Sequence, residues 1–165
     1  MENKRFLECC CTDAAEAVEA MTGGAGRVEL CEDLPCGGVT PGRGNIEETL
    51  RRVNIPVNVL IRARGGDFVY DEDEIEAMIG SVRMCRELGV NGVVVGALRA
   101  DGSVDTEAVG RLMAEAQGLR VTFHRAFDEF ARKQAQKHRE NLAHVEAELN
   151  LPKSLRRNAT KAMEE

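Results

Sequence analysis

The stretch Val57-Asn58-Val59-Leu60-Ile61-Arg62, the amphipathic run from Asp71 to Leu88 and the stretch Gly92-Val93-Val94-Val95-Gly96 together decide the fold. Two short apolar or β-branched runs flank one segment of helical length. Asp71 and Glu74 have the spacing of an N-cap and its reciprocal carboxylate, and Gly89 suits the helix end. Strand, helix and strand in this order imply parallel strands joined by a right-handed crossover. The same alternation extends outward. Strands are expected near 6–10 and 27–31 on one side and 120–124 on the other. Asp13 to Met21, Asn45 to Val53 and Asp105 to Ala116 read as helices, with Asp13 and Glu16 repeating the cap spacing. Five parallel strands in an α/β order follow.

Composition narrows the function classes. The chain has 165 residues, 43% apolar and 30% charged, enough apolar mass for one real core. It is shorter than the roughly 250 residues of an ordinary closed barrel of eight βα units. The longest apolar run, Val93 to Leu98, falls far below the roughly 18 residues of a membrane span. The opening Met-Glu-Asn-Lys-Arg lacks the pattern of a secretory signal, so a cytoplasmic location is expected. A net charge of −6, one Tyr, five Phe and no Trp disfavour nucleic acid and anionic membranes as partners. Six cysteines in a cytoplasmic chain are expected to stay reduced, which leaves burial as small apolar groups or soft-metal binding. All 16 glycines and all six cysteines precede residue 129. The chain is therefore read as a βα segment over 1–128 and a helical tail over 129–165. In the tail Leu142, Val145 and Leu149 make a thin apolar stripe, and Asn150-Leu151-Pro152 should interrupt the helix.

Functional groups are sought beyond the C-terminal strand ends, where parallel α/β folds place their sites. Strand alternation puts Glu8 with Cys10 on one face and Glu29 with Cys31 on one face. Were those faces to point inward on neighbouring strands, two carboxylates would form one layer and two thiols the next. Two thiolates suit Cu(I), which accepts low coordination numbers and prefers sulfur; the competing reading is that Cys10 and Cys31 only fill small buried spaces. A zinc site from Cys9, Cys11, Cys31 and Cys36 conflicts with the same alternation. Arg62 and Arg64 follow strand 3 and suit clamping of a carboxylate or phosphate, or else neutralise Glu8, Glu29 or Asp67. His124 is a candidate general acid or base beside Glu8 or Glu29, or a structural strand histidine. His138 and His144 lie in the tail. The loop Cys36-Gly37-Gly38-Val39-Thr40-Pro41-Gly42-Arg43-Gly44 leads into a helix whose amides, with Arg43, could hold an anion, or it is simply a tight turn. It matches neither a Walker A loop nor a dinucleotide fingerprint, so no nucleotide cofactor is expected.

Taken in order, several segments resemble the CutC copper homeostasis family. They are Leu7-Glu8 with Cys10, Gly23-Gly24-Ala25 leading to Arg27-Val28-Glu29-Leu30-Cys31, and Gly37-Gly38-Val39-Thr40-Pro41. Ile61-Arg62 through Gly65-Gly66-Asp67-Phe68, Gly96-Ala97-Leu98 with Asp101-Gly102, and Thr122-Phe123-His124-Arg125-Ala126-Phe127-Asp128 follow. The resemblance covers about residues 5–128 and implies an incomplete TIM-type (βα) barrel of about five strands, a cytoplasmic role in copper homeostasis, and Cu(I) binding at Cys10 and Cys31. Ala63 stands where the family usually has Pro, and Cys36 where it usually has an acidic residue. Beyond Asp128 the resemblance stops, leaving open sheet edges that, like the tail, offer a route to a homo-oligomer. Two alternatives stay open: an enzyme on a small anionic molecule using Glu8, Glu29, Arg62 and His124, with Arg43 and Arg64 as further anion candidates, or a truncated product of impaired function.

Overall fold

A computed structural model describes residues 6–150. The chain divides into two units, Met1–Phe127 and Asp128–Glu165. The first carries β1 (Glu8–Cys11), α1 (Ala14–Thr22), β2 (Arg27–Leu30), α2 (Arg43–Arg52), β3 (Val57–Leu60), α3 (Glu72–Leu88), β4 (Gly92–Val95), α4 (Thr106–Glu115) and β5 (Arg120–Phe123). The five strands pair in chain order, all parallel. Each connection carries a helix. The result is the partial TIM-type barrel that the strand and helix alternation implies.

Helix boundaries follow local chemistry. Asp71 accepts from the Glu74 amide while Glu74 reaches back to the Asp71 amide, and Gly89 closes α3 at φ 72°. Asp13 and Asp105 cap α1 and α4 in the same way, each accepting from two amides of the first turn. Asp71→Ala is expected to lower stability by about 1 kcal/mol, read from the midpoint of urea unfolding. Helix α2 starts at Arg43, two residues before the expected Asn45. Its N-cap is Gly42, which has no side chain to mark the boundary. Strand β1 likewise begins at Glu8 rather than at residue 6.

The main core lies between the helices and one face of the sheet. Val28, Leu30, Val57, Val59, Ile61, Val93 and Val95 present that face to Ala17, Ile46, Ile75, Met78, Val82 and Leu112. β3 and β4 are buried on both faces, as apolar runs in the middle of a parallel sheet must be. The second face carries a small apolar cluster of Cys31, Leu60 and Val94, with polar side chains before and after it. Gly92 is required there, because a Cβ would stand 2.6 Å from the Arg120 carbonyl and 2.8 Å from the Asn58 side-chain oxygen. Among the described residues β1 and β5 have one strand neighbour each, and β5 is largely exposed.

In the second unit, helix α5 (Ala126–Asn150) supplies the described structure. It starts inside the expected strand-5 motif and runs unbroken to Asn150; the expected interruption continues into Leu151 and Pro152, outside the described residues. Leu142 and Val145 of the thin stripe are exposed, and Lys133–Glu129 and Gln136–Glu140 pairs run along the helix.

Candidate functional site

Parity selects the right face, and register sets what meets on it. Glu8, Cys10, Glu29, Cys31, Asn58, Leu60, Val94 and Thr122 share the second face. Glu8 lies opposite Arg27, and Cys10 opposite Glu29, so the expected layer of two carboxylates is offset by one pleat. Arg27 donates to both Glu8 oxygens, at 2.7 and 2.6 Å. Glu8 is thus a paired carboxylate, and Asn58, itself buried, also reaches it at 3.4 Å. The Glu29 side chain has no hydrogen bond or ion pair among the described residues, and burial with the nearby Glu8 charge pushes its carboxyl above the usual range.

The two thiols do meet. Cys10 Sγ and Cys31 Sγ stand 3.5 Å apart. Cys10 is on the exposed edge strand, whereas Cys31, just after β2, is 1% exposed. Burial pushes the Cys31 thiol up to about 12, with Cys10 and Glu29 adding to the rise. Burial also raises Cys10, while its contact with Cys31 works the other way. Both groups are protonated near neutral pH. The zinc set does not assemble: Cys11 packs in the main core with Cys9 against it, and Cys36 bonds the Asp33 carbonyl. Among the described residues no group of three or more His, Cys, Asp or Glu could hold a metal ion.

Further along the strands, the loop after β2 folds over the sheet. Gly37 and Gly38 have φ of 91° and 85°, a backbone that glycine alone adopts without strain. A Cβ on Gly38 would meet Leu60 at 2.9 Å, with Cys31 3.5 Å away. Thr40 fastens the loop to the end of β3, its hydroxyl donating to the Arg62 carbonyl at 3.1 Å and accepting from the Arg62 amide at 2.8 Å. Arg62 itself is 1% exposed. It donates to the carbonyls of Cys36, Gly38 and Gly66 and lies over the Phe68 ring. It forms no ion pair among the described residues, although its charge helps to hold the Asp67 carboxyl below the usual range.

His124 reaches the same ring, with centroids 4.9 Å apart. Gly96 makes room for it, since a Cβ there would stand 2.5 Å from its Cε1. Its Nδ1 accepts from the Ala126 amide. Burial first, then the Arg62 and Arg125 charges, push its pKa down to about 4. The expected acid/base grouping is absent. Along the paired registers Glu29 is level with Arg120, and His124 lies four residues on, about 13 Å further along the strand.

Two anion candidates are already engaged elsewhere. Arg43 pairs with Glu47 and Glu87, and the Glu32 carboxylate takes the Gly42 amide at the start of α2. Arg64 pairs with Glu74 and Asp67, donates to the Val69 carbonyl and covers the Tyr70 ring. His138 and His144 are exposed on α5. Arg125 and Phe68, which the sequence reading passes over as site residues, stand at the centre instead: Arg125 also lies over Phe68, 5.7 Å from its centroid. The available signal was position, a charged residue directly after the histidine that ends strand 5.

A family model described as CutC family matches residues 5–165. The chain belongs to the CutC family. The match continues past Asp128, where the motifs quoted above end. A family protein CutC from Porphyromonas gingivalis strain W83 is 51% identical over 122 residues, covering 74% of this chain and 49% of that protein. The human copper homeostasis protein cutC homolog is 47% identical over 126 residues, covering 76% and 46%. The chain spans about half the length of these CutC relatives. The crystal structure of CutC from Streptococcus agalactiae superposes with a TM-score of 0.71 at 36% identity, over 76% of this chain and 61% of that one. No helix among the described residues is long and apolar enough to cross a membrane.

Proposed function

We propose that this CutC-family chain serves copper homeostasis in the cytoplasm, taking Cu(I) as cargo between Cys10 and Cys31. The observation that carries the reading is the 3.5 Å thiol contact. Its support from relatives is the name of the human protein. Two sulfurs suffice for a soft monovalent ion. With metal–sulfur bonds of about 2.3 Å, the pair must open by about 1 Å, which the exposed edge position of Cys10 allows. The Glu29 and Glu8 charges that raise the Cys10 thiol also favour an incoming cation. Because both thiols are held protonated, loading releases protons and strengthens as pH rises. A reducing compartment keeps the pair available. Residues 1–128 are taken as the part that carries this site, and 129–165 as a segment of separate composition.

Competition titration of Cu(I) against a chromophoric chelator under reducing conditions tests this reading. Cys10→Ser and Cys31→Ser should each weaken binding at least 100-fold, and wild-type affinity should rise between pH 6 and pH 8. Unchanged affinity in both variants overturns the site.

A further inference from the structure

The strongest unused feature is the group of nitrogens gathered around Phe68. Arg62 and Arg125 both stack on this one ring, and His124 packs against it. The Arg62 terminal nitrogens are taken by three carbonyls, but its Nε is buried without a well-formed hydrogen bond, the nearby buried Tyr70 hydroxyl being unsatisfied as well. His124 Nδ1 accepts from a backbone amide, so the ring proton sits on Nε2, which is also buried and has no acceptor. Arg125 makes no hydrogen bond or ion pair among the described residues. Its guanidinium lies where a Gly37 Cβ would be, and Arg125 itself is exposed. Two guanidinium groups thus share one ring, and among the described residues neither forms an ion pair, the Arg62 charge reaching only the exposed Asp67 carboxylate, in a chain of net charge −6. Like charges gathered in a part-buried place repel unless something neutralises them.

We infer that Arg62, His124 and Arg125 form a binding site for an oxyanion group of a small molecule, distinct from the thiol pair. All three offer donors and no free acceptor, so the complementary group accepts only, and its negative charge neutralises the guanidinium pair. Phosphate and carboxylate share that chemistry. The ligand enters past Arg125, the exposed member, which swings off Gly37 to close on it; a Gly37 Cβ would overlap the Arg125 guanidinium and stand 3.2 Å from that of Arg62, so the two guanidinium groups already meet at that point. Gly37 and Gly38 leave the loop free of side chains at the point of entry.

The full chain is titrated calorimetrically with inorganic phosphate and, separately, with succinate, while the His124 Hε1 resonance is followed by NMR. At least one anion should bind and shift that resonance. Tighter phosphate identifies phosphate-bearing ligands, and tighter succinate identifies carboxylates. Arg125→Ala, whose exposed side chain can be removed without opening the core, should weaken binding at least tenfold with an unchanged unfolding midpoint. Arg125→Lys should recover part of the loss. Arg111→Ala, on α4, removes the same charge elsewhere and should leave affinity unchanged. Failure of both anions to bind, an equal loss in Arg111→Ala, or no effect of Arg125→Ala overturns the proposal.

Discussion

Arg62→Ala is expected to lower the unfolding free energy by about 3 kcal/mol. The wild-type guanidinium ties together two loops that also meet where Gly65 packs against Cys36. Cys36 and Gly38 belong to the loop after β2, and Gly66 to the loop after β3. Alanine would strip the charge-assisted donor from three carbonyls and leave a space beside Phe68. A hydrogen bond to a charged group contributes about 1.5 to 3 kcal/mol, so the gross loss is larger than the net figure. Two terms offset it. Gly66 is exposed and Cys36 half-buried, so water can reach part of what is lost. Removing a buried cation that has no carboxylate partner also relieves its desolvation cost. Arg62→Met keeps most of the volume and should cost about 2 kcal/mol, separating the hydrogen bonds from the cavity. Urea unfolding monitored by circular dichroism gives both numbers. A loss below about 1 kcal/mol in Arg62→Ala would mean that the loops hold their shape without it.

Elements whose causes are local were legible in the sequence. Asp71 with Glu74 marks the start of α3 because a capping box is made within one turn. β3 and β4 read as strands because both faces are buried. Site residues depend on contacts between elements, and there parity was informative while register was not. Alternation places Cys10 and Cys31 on the same face, and the thiols do meet. It does not reveal that β1 pairs with β2 so that Glu8 faces Arg27 rather than Glu29. The same limit separates the three arginines. Arg64 follows the same strand as Arg62 two residues on, and Arg43 sits in a glycine-rich loop; their partners Glu74 and Glu87 lie on α3. Only Arg62 turns inward, to backbone carbonyls that carry no sequence signature. Arg125 follows the last residue governed by strand alternation: the His124 amide still bonds the Val95 carbonyl, and the chain then turns into α5. Nothing periodic fixes its direction.

Acid should destabilise the protein through His124, by about 3 kcal/mol in full, and His124→Gln should remove that sensitivity. The ring sits between Phe68 and the backbone at Gly96, its Nδ1 engaged by Ala126. Protonation would place a cation, poorly solvated, beside Arg62 and Arg125. Burial and those two charges hold the folded-state pKa at about 4, whereas an unfolded histidine titrates near 6.5. Above about pH 6.5 both states are neutral and His124 has no effect on the balance. As pH falls toward 4 the unfolded chain binds a proton that the folded chain refuses, so folding stability is lost progressively across that window. At about 1.4 kcal/mol for each tenfold change in proton activity, the interval gives a loss of about 3 kcal/mol, complete below the folded pKa. Glu29 works in the opposite direction. Its carboxyl is raised in the folded state, so protonating it as pH falls restores some stability. The net profile is therefore shallower than His124 alone would make it. Comparing wild type with His124→Gln, which retains a donor without a titrating ring, cancels the Glu29 contribution. Urea unfolding at pH 7, 5.5 and 4.5 should show wild type losing progressively more stability than the variant. Parallel profiles would mean that the ring can be protonated in place, as it would be if an anion remained bound beside it and raised its pKa. Repeating the series with phosphate present decides between these: a bound oxyanion should shrink the wild-type loss and leave the variant's profile as it was.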